Sequence, residues 1–490
     1  MRASLHQKAR IPCSLSAFYH LLFGLVFALV VGTRGVLAQE FPPPTEPPPV
    51  TPGPPPPPQE RLLSPIPQRF DWINREVRLN PMLESLMALQ AVRPQLLMTV
   101  TLAEDYYDNF NFGQDEETGE EYRTSLILGT AYRLEKGRGF VSLANSISGN
   151  YEARSQNHNI GFANLSLNLG YELPHLSLAL SDSFLRDDDV NQTSTSNIRE
   201  GRRTFTQNSI TPQLRYVLSR LTAMTLAYTN TVVVNEGEES DTSISHAIAT
   251  GLEHQFSRVL SGNLGYDFII RDEEEDAESQ THNVSAGLDY VFTRRTNLAL
   301  QTFGTLISRR GGGSDSQVYG ISAGVRHRFS TRVDFFAAAG ATVTDLEGEA
   351  LRADPNWQVT LEAALSSRTS LNLSSQGEVS DTGGEVDNVG LVLRQSVNLT
   401  LDQTISRAFR LSLFAGYTRT EFLSSAGTDE SDPGRKDNYW QAGVRAAYVL
   451  SRVWSLSLNY LYQQRDSNRA EEDFDANQVT LAVTGRFSVL

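Results

Sequence analysis

From Leu96 onward, apolar and polar residues alternate along the chain, the period of two expected of strands whose faces meet unlike surroundings. In 318–329, Tyr319, Ile321, Ala323, Val325 and Phe329 share one face, with His327 the exception; Gly320, Ser322, Gly324, Arg326 and Arg328 share the other. In 438–449, Trp440, Ala442, Val444, Ala446 and Tyr448 oppose Tyr439, Gln441, Gly443, Arg445 and Ala447. The same division recurs in 282–292 (Val284, Ala286, Leu288, Tyr290 and Phe292 against Asn283, Ser285, Gly287 and Asp289). It returns in 476–489, where Val479, Leu481, Val483, Phe487 and Val489 oppose Thr480, Ala482, Thr484 and Arg486.

Short connections punctuate these runs, each carrying Ser or Thr followed by Arg: Ser219-Arg220, Ser257-Arg258, Thr293-Arg294, Thr331-Arg332, Ser367-Arg368, Ser406-Arg407 and Ser451-Arg452. Two earlier ones fall near Lys136 and Pro174, and long polar stretches alternate with the short connections. The unit is therefore a hairpin. Two strands of about 12 residues, a turn of about 4 and a loop of about 10 account for the repeat, and such strands are long enough to cross an outer membrane. Propeller blades would need four strands in a similar length, which these strands do not allow. Strict alternation of long and short connections predicts an all-β, up-and-down antiparallel transmembrane barrel of about 20 strands, with 18 as the alternative. Pro212 conflicts with the strand drawn over 204–217 and calls there for a bulge or a late strand start.

The polar face, rich in Gly, Ser, Thr, Asn and Arg, would point into a water-filled interior. Aromatic residues near strand ends, Tyr132, Tyr171, Tyr216, Phe256, Phe292, Phe329 and Tyr448, fit interfacial girdles. Closure of the sheet is what pairs every backbone group in lipid.

The first 95 residues read differently. Arg2, Lys8 and Arg10, the apolar run Leu21–Gly32 and the Val36-Leu37-Ala38 site predict a signal peptide over 1–38. The leader carries four positive charges and no acid, so its removal takes the net charge from -15 to -19 and removes Cys13, the only cysteine. Fourteen of the 21 prolines fall between Pro42 and Pro67, so 39–67 reads as a semi-rigid periplasmic spacer. Within 68–95, Asn80-Pro81 followed by apolar residues at near-helical spacing predicts a short amphipathic helix at 81–92. The barrel then occupies 96–490, in the outer membrane of a Gram-negative bacterium with both termini periplasmic.

Leu102–Phe112 reads LAEDYYDNFNF, and its Tyr107-Asp108-Asn109-Phe110 closes the first strand. This resembles the entry motif of the putative beta-barrel porin 2 family, outer-membrane barrels often associated with exopolysaccharide systems. The resemblance spans about 96–490 and implies a porin-like channel for solutes or polysaccharide. The alternative is an anchoring envelope protein with a proline arm and no open pore. The chain departs from the usual outer-membrane C-terminus in ending Phe487-Ser488-Val489-Leu490 instead of on an aromatic residue.

Composition narrows the chemistry. An acidic balance without a long basic cluster excludes a nucleic-acid partner. A single cysteine excludes disulfide scaffolds and cysteine-ligated metals. Histidines 246, 254, 282 and 327 show no metal spacing, no Ser–His–Asp grouping can be specified, and Gly311-Gly312-Gly313 lacks the helix and Lys-Ser/Thr of a phosphate loop. Neither a catalytic centre nor a cofactor is expected. Arg326, Arg328, Arg394 and Arg445, with Glu362 and Asp402, are the candidate pore-lining charges; Arg410, Arg486, Asp267, Asp289 and Asp334 share similar faces. Acidic loops at 115–117, 187–189 and 272–276 are either mutually repelling solvated tips or sites of divalent-cation bridging to lipopolysaccharide phosphates. The expected partners are outer-membrane lipid and lipopolysaccharide, the barrel assembly machinery and polysaccharide export components.

Overall fold

The structure, a computed structural model, describes residues 95–112, 119–188, 204–236, 241–272, 278–310, 315–347, 349–382, 390–423 and 434–488. The signal peptide, the proline spacer and the helix expected at 81–92 lie outside the described residues. Twenty strands follow in order: β1 (Gln95–Tyr107), β2 (Glu121–Lys136), β3 (Gly139–Glu152), β4 (Asn157–Glu172), β5 (Leu176–Asp187), β6 (Phe205–Ser219), β7 (Thr222–Asn235), β8 (Asp241–Gln255), β9 (Leu260–Asp272) and β10 (Glu278–Thr293). The second half comprises β11 (Thr296–Arg310), β12 (Ser316–Ser330), β13 (Val333–Leu346), β14 (Arg352–Ala364), β15 (Thr369–Asp381), β16 (Leu391–Thr404), β17 (Phe409–Phe422), β18 (Lys436–Val449), β19 (Trp454–Ser467) and β20 (Phe474–Ser488). Each strand pairs antiparallel with the next, and β1 also pairs with β20, so the sheet closes on itself. Nine connections of two to four residues at one end alternate with those of the other end, of which the β3–β4 connection is equally short at four residues and the rest are longer; Gln95 and Ser488 both lie at the short-turn end.

The Ser and Thr of the short turns fold them. Ser219, Ser257, Thr293, Ser406 and Ser451 accept backbone N–H groups two or three residues ahead at 3.1–3.3 Å. Such a side chain mimics a turn of the backbone. In the two remaining turns the role falls one residue earlier, to Ser330 and Ser366, which receive the N–H of Arg332 and Arg368. A register shift precedes three of these turns, between Val217 and Ser219, Val291 and Thr293, and Arg328 and Ser330. Bulges there increase the local twist as the chain reverses.

Pro212 corrects the expectation of a bulge or late start. β6 runs through it from Phe205 to Ser219, and the register with β7 is the same on both sides, Ile210 opposite Asn230 and Gln213 opposite Ala227. Only the rungs of Thr211 and Pro212 are missing, and the Thr211 and Thr229 hydroxyls, 3.0 Å apart, bridge the seam there. Losing one N–H interrupts a long ladder locally without displacing it.

The outward face carries the large exposed apolar side chains, among them Leu126, Leu128, Leu264, Leu288, Leu300 and Ile321. Aromatic and histidine pairs ten residues apart mark its edges: Tyr122 and Tyr132, His246 and Phe256, His282 and Phe292, Tyr319 and Phe329. Ten residues at about 3.3 Å each, tilted about 40°, span about 25 Å, the height of the apolar band of an outer-membrane barrel. The histidines take their hydrogen bonds from neighbouring strands within these girdles. Tyr228 and Tyr266 meet His246 and His282 at 2.8 and 3.0 Å, and Thr222 and Thr296 meet His254 and His327 at 2.9 Å.

The strands run past the girdle toward the long loops, and buried side chains concentrate in that extension. One apolar cluster there joins Leu185, Phe205 and Val233; another joins Tyr439, Phe474 and Ala476, with Phe112 against them.

Candidate functional site

The inward face of the barrel is the candidate site, and the Tyr107–Phe110 segment lies at the long-loop end of the seam that closes it. Along the seam between the first and last strands, Leu97–Tyr107 pairs with Ser488–Gln478. At its long-loop end the Asp108 carboxylate accepts both the Asn477 backbone N–H and the Asn477 side-chain amide, each at 2.6 Å. The Asp108 N–H donates to the Asn477 carbonyl at 3.2 Å, and Asn109 Nδ2 donates to the Asp475 carbonyl at 2.9 Å. Gln478 Nε2 donates to the Tyr107 hydroxyl at 3.1 Å, while the Phe110 ring stands edge-on to Tyr107 and beneath the Arg123 guanidinium. The four residues thus form a clasp across residues some 370 positions apart, where closure carries the largest loop-entropy cost in the chain.

Between the two girdles the inward face carries many small and polar side chains, with single rings such as Phe336 and Phe414 among them. Facing hydroxyls bond across strands, Thr101 with Thr484 and Ser209 with Thr231, both at 3.1 Å. The ladder puts all six candidate charges on this face but does not bring them together. Arg326 and Arg328 of β12 share one carboxylate, Asp334 of β13, at 3.7 and 3.4 Å, and Arg326 lies over the Phe336 ring. Arg394 of β16 pairs with Glu378 of β15 at 3.3 Å. Arg445 of β18 lies 4.9 Å over the Phe414 ring. Phe414 can lie flat only because its neighbour is Gly443, where a Cβ would overlap the ring. Glu362 faces Asp334 and Asn372 across its two ladders, and Asp402 faces Ser370 and Ser412. Among the described residues no ion pair involves Arg445, Glu362 or Asp402, and no group of three acids, histidines or cysteines could hold a metal.

The strongest electrostatic features lie higher, at the long-loop rim. Arg123 reaches Glu152 at 2.6 Å and Asp188 beside it, with all three side chains buried. Arg435 and Arg465 share Glu472 at 2.9 and 2.7 Å, and Arg435 also holds Asp437 at 2.8 Å. Arg352 bridges Asp354 at 2.8 Å and Glu421 of β17 at 2.7 Å. Guanidiniums suit these places because one planar fork can hold two carboxylates. A sequence signal did exist: Arg352-x-Asp354 and Arg435-x-Asp437 place opposite charges two apart, hence on one face, beside a long loop.

A closed 20-stranded barrel with an apolar outer band between aromatic girdles and a polar inward face is an outer-membrane channel. The family model described as Putative beta-barrel porin 2 matches residues 205–329 and 337–487, more than half of the chain, and the chain belongs to that family. It is a porin-like channel of the outer membrane; an anchoring protein without a pore is not favoured. No curated protein matches it. Among solved structures, OccAB4 of Acinetobacter baumannii is 13% identical, with a TM-score of 0.41 over 81% of this chain and 99% of that one. OpdK of Pseudomonas aeruginosa is 12% identical, with a TM-score of 0.39 over 80% and 98%. A BenF-like porin of Pseudomonas fluorescens is 12% identical, with a TM-score of 0.41 over 81% and 99%. Likenesses of this size say nothing about cargo.

Proposed function

We propose that the channel passes small hydrated solutes with a weak preference for anions, that its long loops face the exterior and that both ends of the barrel chain are periplasmic. Hydroxyl and amide side chains along the inward face can replace part of a solute's hydration shell. The observation behind the charge preference is the sharing of Asp334 by Arg326 and Arg328, which leaves two guanidiniums against one carboxylate. Asp289 lies within reach of the Arg326 charge and Glu362 opposes Asp334 on the next strand, so the excess is small. Arg445, stacked on Phe414, adds a second positive point on β18.

The test is the reversal potential of the refolded barrel in a salt gradient across a planar bilayer. Arg326→Gln with Arg328→Gln should move it toward cation preference, most visibly at low salt, where screening is weakest. An unchanged reversal potential would remove these arginines from the selectivity.

A further inference from the structure

Carboxylates hardly occur on the lipid-facing side of this wall. Among the described residues, strand parity puts only two on the outward face between the girdles, Glu104 of β1 and Asp182 of β5. Glu104 lies one step inside the Tyr106–Tyr122 pair and takes the Thr124 hydroxyl at 2.7 Å. Asp182 lies deeper. It shares its face with the exposed Leu178 and stands between Leu167 of β4 and Ile210 of β6, six residues above the girdle residue Tyr216. Six residues at about 3.3 Å each, tilted about 40°, put it about 15 Å into a band of about 25 Å. Asn208 Nδ2 donates to Asp182 Oδ1 at 3.0 Å, and Oδ2 makes no hydrogen bond among the described residues.

A second polar group faces the same hydrocarbon two strands away. Asn145 of β3 has the parity of the exposed Ile147. Thr130 donates to its Oδ1 at 2.7 Å, and its amide nitrogen meets no acceptor among the described residues. Between Asn145 and Asp182 runs β4, whose outward residues there are Leu165 and Leu167. Rungs of the ladder climb along the wall: the rung of His246 reaches β10 at Gln280, two residues above the girdle residue His282. The rung of Asn145 likewise reaches β5 at Phe184, two residues above Asp182. Asn145 and Asp182 therefore lie at one depth on either side of β4, an unmet donor and an unmet acceptor. Hydrocarbon can satisfy neither, and polar groups left unmet in it are costly.

We propose that the outward face of β3–β5 is the contact surface for a second copy of this chain, related by a two-fold axis that runs along the membrane normal through β4 at Leu165 and Leu167. A two-fold axis exchanges the flanks of the strand it passes through, so the Asn145 amide of each copy donates to the Asp182 carboxylate of the other. Both polar groups are then paired, and the β4 leucines pack against their own copies between them. A convex wall can touch its copy only over neighbouring strands, and β3, β4 and β5 are neighbours. The strands from β7 to β20 carry no carboxylate between the girdles among the described residues, so that side of the barrel is left to lipid. This contact goes beyond the conduction reading and holds whatever solute the channel passes.

The experiment is cross-linking in outer membranes. Residues 95–488 contain no cysteine, so Leu167→Cys with a short bismaleimide reports contact at the axis, and Leu300→Cys on β11 is the control face. The Leu167→Cys chain should cross-link to itself and the Leu300→Cys chain should not. Adding Asn145→Asp to Leu167→Cys sets carboxylate against carboxylate and should abolish the cross-linked dimer. Co-expression with a differently tagged chain carrying Leu167→Cys and Asp182→Asn should restore a mixed dimer, because each carboxylate then meets an amide again. Heat-modifiable migration verifies each barrel. If the Asn145→Asp barrel fails to fold, Asn145→Leu and Asp182→Leu replace it, and each should lose the dimer. No self-cross-link through Leu167→Cys, cross-links only to other envelope proteins, a dimer indifferent to these substitutions, or a loss that the mixed pair does not restore would each overturn the two-fold contact.

Discussion

The clasp at the barrel seam gives the sharpest energetic prediction. Asp108→Ala removes two hydrogen bonds of 2.6 Å to Asn477 and leaves a backbone N–H and a side-chain amide without their acceptor. Hydrogen bonds to a charged acceptor contribute about 1.5–3 kcal/mol each when buried; here both are part-buried, so water recovers some of the loss and the expected cost is about 2–3 kcal/mol in total. Asp108→Asn keeps an acceptor for the N–H but turns an amide toward an amide, and should cost about half as much. The assay is denaturant unfolding of the refolded barrel, followed by tryptophan fluorescence and by heat-modifiable migration. Trp454 of β19 stands edge-on to Phe487 of the last strand and so reports on unfolding of the strand that carries Asn477. The midpoint should fall with little change in slope, since the surface exposed on unfolding is the same. Asp345→Ala is the matched control, an exposed acid on β13 whose side chain makes no hydrogen bond among the described residues. If Asp108→Ala and Asp345→Ala shifted the midpoint equally, the Tyr107–Phe110 segment would not be a closure device.

Two further outcomes are expected. The Arg186 guanidinium binds Glu236 through two hydrogen bonds, at 3.0 and 2.8 Å, and holds that loop carboxyl below the usual carboxylate range. A depressed folded pKa means the pair stabilises the rim above the unfolded carboxylate range and is lost as pH falls through the folded value. Both side chains are partly exposed, so the contribution is at most about 1 kcal/mol. Hydrogen exchange at 204–206 and 235–236 should accelerate on acidification, and Arg186→Gln should flatten that dependence. For orientation, an epitope inserted at 273–277 should be accessible on intact cells and one at the Arg294-Arg295 turn should not; labelling of the turn would reverse the topology.

Much of this architecture is legible in one dimension. Alternation fixes which side chains share a face, because a strand's period is two whatever it packs against. Arg326, Arg328 and Arg445 therefore fall on the inward face by parity alone. The Ser and Thr at the short turns are local chemistry and are equally readable, with Ser330 and Ser366 displaced by one residue because either neighbour can cap the same turn.

What the pattern cannot contain is which distant residues meet. Pro212 looks like a break because a single strand has no measure of its neighbours; in the barrel, matched register on both sides carries the ladder past it. Asp108 and Asn477 pair only because the first strand returns to the last. Leu391-Val392-Leu393 interrupts the alternation, and in isolation that run only says that both faces are covered. Burial against Ile307, Val318 and Leu346, and the partnership of Arg309 with Asp381, join residues of strands several places apart along the sheet. Sequence determined the strands, their faces and their count, since those depend on local periodicity and turn chemistry. Closure and the ionic rim were decided by tertiary structure alone, since they depend on contacts between residues that no local pattern relates.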